Sequence, residues 1–200
     1  MGDLQGLLQH LKQPEYLHVL LNPWPVYGMA AGTFMLLAAI LTRRLKEQDA
    51  ALVWLVLMGG ATWLAAIYGH QGYDRVYAMS NQEAQQWLKV HMDRAETFSW
   101  VFYATSLAAL SALLSSRWRP ALLCYLACLT CILALSSAVL GGWISQAGGQ
   151  VRHSEFREGP PPRTCCALWK KSLPMSTALE KPPTSQRPKT TAKGSHDCDL

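Results

Sequence analysis

The chain has 200 residues, of which 50% are hydrophobic and only 16% charged, with a formal net charge of +5. Soluble domains carry roughly 25% charged residues, so the composition argues against an ordinary soluble domain, and no nucleic-acid partner is expected. The mean hydropathy of +0.06 averages an apolar first 150 residues with a polar end.

Met1 to Gln13 carries Asp3, His10 and Lys12 and shows no small-residue cleavage pattern. A secretory signal peptide is therefore not expected, and the apolar segments that follow read as retained.

A helix needs about 20 mainly apolar residues to cross a bilayer. Four segments qualify, at about 24–42, 50–69, 97–115 and 120–142, each free of charge. None alternates strictly, which excludes the strands of a membrane barrel. The expected fold class is all-α: an integral membrane four-helix bundle over residues 1–156, followed by a polar tail at 157–200. That tail, with Pro160-Pro161-Pro162 and few large apolar residues, reads as disordered. Pro25 opens the first span at a position where a missing N–H is tolerated. Trp24, Trp100 and Trp143 fall near one membrane face, and Trp54 and Trp118 near the other, as an interfacial aromatic belt.

The segment 70–96 reads as an extramembrane loop whose second half is helical, with Ser80 as cap and Glu83 three residues on. No internal repeat is evident. Five cations, Arg43, Arg44, Lys46, Arg117 and Arg119, crowd the two short loops. Counted over short loops, they put those loops in the cytoplasm and both termini on the outer face of the membrane.

Four alternating spans bring His18, His70, His91 and His153 to one face, and neither short loop holds a histidine. Two imidazoles on separate helices of a bundle can clamp a haem iron from opposite sides. His70 and His91, each at a helix end, form the preferred pair for a b-type haem or another metal, with His18 and His153 as a second pair. Arg75, Arg94 and Arg152 lie near these histidines and suit haem propionates. A histidine at a membrane interface is also commonly a solvated surface residue, and that reading stands beside the first. Cys124, Cys128 and Cys131 share one face of the fourth span and read as packing residues. Asp74, Asp93 and Glu96 read as solvated carboxylates. The uncharged spans argue against an ion path through the bilayer centre, and no Gly-rich phosphate loop or nucleophile elbow is present.

Several short motifs resemble a family. Leu17-His18 followed by Pro23, the glycine-rich second span ending Ala66-Ile67-Tyr68-Gly69-His70, His91 before the third span, and Leu140-Gly141-Gly142-Trp143-Ile144 with Gly148-Gly149-Gln150-Val151-Arg152 are similar to bacterial membrane proteins grouped as domain of unknown function 2231. The resemblance covers about residues 17–153. It implies four membrane helices with histidines at their ends, and the association of some members with redox modules favours a haem. The family's first motif has His-Pro and a second His before a Pro; here Val19 follows His18 and Asn22 precedes Pro23.

These features lead to a membrane-embedded haem-binding electron-transfer subunit, exchanging single electrons with a quinol or a soluble cytochrome at the outer face. The alternative is a non-catalytic accessory subunit that packs against lipid and other subunits of a membrane redox complex. A metal or haem carrier ranks third, because the spans offer no polar route.

Overall fold

The computed structural model describes residues 2–116, 119–157 and 159–161. Six α-helices follow in order: α1 (Gly2–His10), α2 (Pro14–Leu21), α3 (Pro23–Leu41), α4 (Leu45–Met79), α5 (Gln82–Ser115) and α6 (Pro120–Arg152), then one 3-10 turn at Ser154–Phe156. No strand occurs among the described residues. Four apolar helical segments are long enough to cross a membrane, with α2 and α3 counted together as the first. The expected all-α bundle is therefore the observed one.

Local chemistry sets the helix ends. Prolines stand in the first turn of α2, α3 and α6, where a helix has no use for the N–H they lack. Arg43, at φ 55, turns the chain out of α3. Asn81 caps α5, its side chain accepting from Ala84 N–H at 2.9 Å. Ser80, the expected cap, instead donates back to Val76 C=O. The helix expected in the second half of the 70–96 segment is present and continues into the third span as α5 from Gln82. The first half, expected as loop, is the end of α4, which runs to Met79. Each of the three longest helices is about 50 Å long at 1.5 Å per residue, whereas the hydrocarbon layer is about 30 Å thick. Short connections join α3 to α4 and α5 to α6 where the apolar spans begin, so the excess length projects at the histidine face.

The helices form a ring in which α3 packs on α4 and α6, and α5 packs on the same two. Helices α3 and α5 are thus diagonal partners. Without a hydrophobic drive between helices in lipid, close contact depends on small residues. A Cβ on Gly28 would collide with Met58, one on Gly32 with Leu55 and Trp54, and one on Gly59 with Ser106. Met29, Leu36, Leu52 and Leu55 are fully buried in the core these contacts create. Hydrogen bonds tie the seams: Trp54 Nε1 donates to Gly28 C=O at 2.8 Å, Ser106 Oγ to Leu55 C=O at 3.2 Å, and Thr105 and Ser137 share a bond at 2.9 Å.

The two helical hairpins repeat one another. A shift of 73 residues carries His18 onto His91, and the buried Gly28, Met29, Gly32, Leu36 and Ala39 onto the buried Val101, Phe102, Thr105, Ala109 and Ala112. A shift of 79 carries Ala51, Leu55, Met58, Thr62 and Ala65 of α4 onto Thr130, Ala134, Ser137, Gly141 and Ile144 of α6, all ten buried. The chain therefore holds two copies of one hairpin, which its sequence does not display.

Two further expectations change. Cys124 and Cys128 are exposed and Cys131 is half-buried, so the outer two face lipid rather than pack. Arg157, assigned to the tail, is pinned: its guanidinium donates to Gln150 C=O and Val151 C=O, closing the end of α6. The rest of the expected tail lies almost wholly outside the described residues, as do Trp118 and His196.

Candidate histidine site at the bundle mouth

His18 sits on α2 and His91 on α5, and their rings face one another with centroids 6.2 Å apart and planes inclined at 73°. The same local device positions each. His18 Nδ1 donates to Ala65 C=O on α4 at 2.8 Å, and His91 Nδ1 donates to Ile144 C=O on α6 at 2.9 Å. A carbonyl only accepts, so Nδ1 of both rings carries a proton, which leaves Nε2 as the nitrogen available to a ligand. Metal-binding histidines are held this way, with the far nitrogen anchored to fix tautomer and orientation.

Glycine permits both approaches. One turn beyond each accepting carbonyl stand Gly69 and Gly148, related by the internal repeat. A Cβ on Gly69 would lie 2.9 Å from His18 Nδ1, and one on Gly148 3.1 Å from His91 Nδ1.

The remaining expected residues divide. His70 is exposed at the end of the second span, its Nδ1 4.0 Å from Glu96 Oε1. It shares with His91 the wall of a cavity of about 100 Å³ enclosed by α3, α4, α5 and α6, which Asn22, Thr62, Met92 and Phe102 also line. The ring in contact with His91, however, belongs to His18. His153 is exposed, bonded to Glu155 at 3.0 Å and set against Phe156, so the expected second pair of His18 with His153 does not form. Arg75 is engaged with Glu15 at 2.8 Å. Arg94 is buried one turn from His91, donating to Trp143 C=O at 2.8 Å with its guanidinium 3.9 Å above the Trp143 ring. Arg152 and Asp74 are exposed, whereas Asp93, expected at the surface, is buried.

The sequence reading missed the pairing because it sought ligands at the ends of the apolar spans, which favoured His70. The usable signal was spacing. His18 and His91 each stand ten residues before a buried residue of the helix core, Gly28 and Val101. Among the described residues no group of three or more His, Cys, Asp or Glu could hold a metal ion. No family model, curated protein or solved structure matches the chain.

Proposed function

We propose that this multi-pass membrane protein binds one b-type haem between His18 and His91 and exchanges single electrons at the outer face of a bacterial inner membrane. The separation of the two rings carries the reading. Imidazoles held on opposite sides of one ion through bonds of about 2.0 Å, with ring centres about 1.1 Å behind the ligating nitrogens, would have centroids about 6 Å apart. The centroids of His18 and His91 stand 6.2 Å apart in an edge-on arrangement, a spacing compatible with one ion between them.

The donor set supports a haem over a bare ion. A structural zinc site takes four protein ligands, and the described residues offer two histidines without a third partner. A haem needs only two axial ligands and supplies one-electron chemistry when bound. The chain's part is to hold both Nε2 lone pairs in place through the Ala65 and Ile144 carbonyls. Arg94, one turn from His91, and Arg75 are the nearby cations for a propionate, and each already has a partner, the Trp143 carbonyl and Glu15 respectively. The cavity beside His91 is smaller than a porphyrin, so binding would have to part the four helices that line it.

The cations of the short loops support the orientation, with those loops in the cytoplasm. The test is purification in mild detergent after expression with ample haem, followed by a pyridine haemochrome assay against protein concentration. One haem per chain supports the reading. A colourless chain overturns it and leaves an accessory subunit as the account of the bundle.

A further inference from the structure

We infer that α2 is a hinged jaw that swings His18 away from His91 to admit and release the flat ligand, while His91 stays fixed. This rests on the haem reading above. The two histidines occupy equivalent places in the repeat, but their supports differ in three ways.

The first difference is the backbone behind each ring. Pro23 and Pro25 follow His18, and without their N–H groups the Val19 and Leu21 carbonyls lose their helical donors. Helix α2 stops at Leu21 and α3 starts at Pro23. The equivalent positions on the other hairpin, Glu96 and Phe98, keep their N–H groups, and α5 runs unbroken from Gln82 to Ser115.

The second difference is packing. Helix α2 has no buried residue and rests chiefly on α4. The matching stretch of α5 buries Leu88, Val90, Asp93 and Arg94, and Trp87 and Val90 form a small core with Ala147 of α6. Segments with few buried contacts open at low cost, and well-packed ones do not.

The third difference is a latch. Gly72 of α4 lets the α2 backbone come close, for a Cβ there would lie 3.0 Å from Glu15 Cα. Arg75 then holds Glu15 Oε1 at 2.8 Å, while Glu15 Oε2 is buried without a hydrogen bond. Burying a carboxylate oxygen unpaired opposes closure, so the latch is poised rather than locked. A ligand bridging His18 and His91 would hold it shut.

The test uses the full chain in detergent. Hydrogen exchange of the haem-free protein is expected to run at least about tenfold faster in α2 than at residues 87–94, a contrast that haem narrows. Arg75→Gln should speed haem transfer to a globin acceptor several-fold, and the Pro23→Ala/Pro25→Ala pair should slow it. Equal exchange in the two segments overturns the jaw, and so does a transfer rate that neither variant moves. A chain that binds no haem sinks the haem reading instead, while the exchange contrast, read without haem, still decides whether the hinge exists.

Discussion

Gly69 and Gly148 stand in the same relation to the two site histidines: each lies four residues beyond the carbonyl that anchors a ring, and each leaves room only for hydrogen where that ring passes. The relation repeats on α4 and α6, so the pocket is built by both hairpins, and each half contributes one imidazole, one carbonyl and one glycine.

Gly69→Ala and Gly148→Ala are expected to leave the bundle folded but displace the rings. The new methyl at Gly69 would come within 3.0 Å of the His18 ring, and the one at Gly148 slightly farther from the His91 ring. Overpacking of this kind costs about 1–3 kcal/mol. Haem affinity should fall in both variants, more in Gly69→Ala, with helicity unchanged by circular dichroism. Retained affinity in both would show that ring position does not matter.

A second comparison concerns packing alone. Gly28→Ala drives a methyl into Met58, whereas Gly60→Ala meets nothing within 4 Å. The first is expected to destabilise the bundle by about 1–3 kcal/mol. The second should be neutral or slightly stabilising, because alanine is the better helix former. Thermal unfolding in detergent separates them.

Much of this architecture was legible in the sequence. Uncharged runs such as 50–69 marked the spans, since length and apolarity are what a bilayer selects. The outer end of α4 was not legible, because residues 70–79 carry charges and read as a loop, whereas the helix at 82–96 was expected but not its continuity with the third span. Both stretches are helical because α4 continues as the bed for α2, and α5 continues against α6 through Trp87 and Ala147. The repeat was hidden for a related reason. Packing conserves which positions are buried, not which residues fill them: Gly32 answers to Thr105 and Met58 to Ser137. The pairing of His18 with His91 was legible only through their equal spacing from Gly28 and Val101, which needs the burial of those positions to be known.

Arg94→Leu removes a hydrogen bond to the Trp143 carbonyl and a cation held over its ring. A bond from a charged group contributes about 1.5–3 kcal/mol, and a desolvated cation–π contact about 2 kcal/mol. The two are not additive, and a net loss of about 2 kcal/mol is expected. Arg94→Lys should recover only part of it, since lysine lacks the planar fork. If Arg94 also meets a propionate, both variants shift the midpoint potential, which a purely structural role would not.

Cys124→Ser and Cys128→Ser should change stability by less than about 0.5 kcal/mol, since both side chains are exposed rather than packed. A large loss in either would mean that this face of α6 is covered by another protein in the membrane.

The most direct measurement is the reduced-minus-oxidised absorption spectrum of the purified chain beside three variants, His18→Ala, His91→Ala and His70→Ala. A sharp α band of a six-coordinate b-type haem, lost in the first two variants and kept in His70→Ala, is the expected result. A band that survives loss of His18 but not of His70 would contradict the pairing of His18 with His91, and no band in any sample would contradict the haem itself.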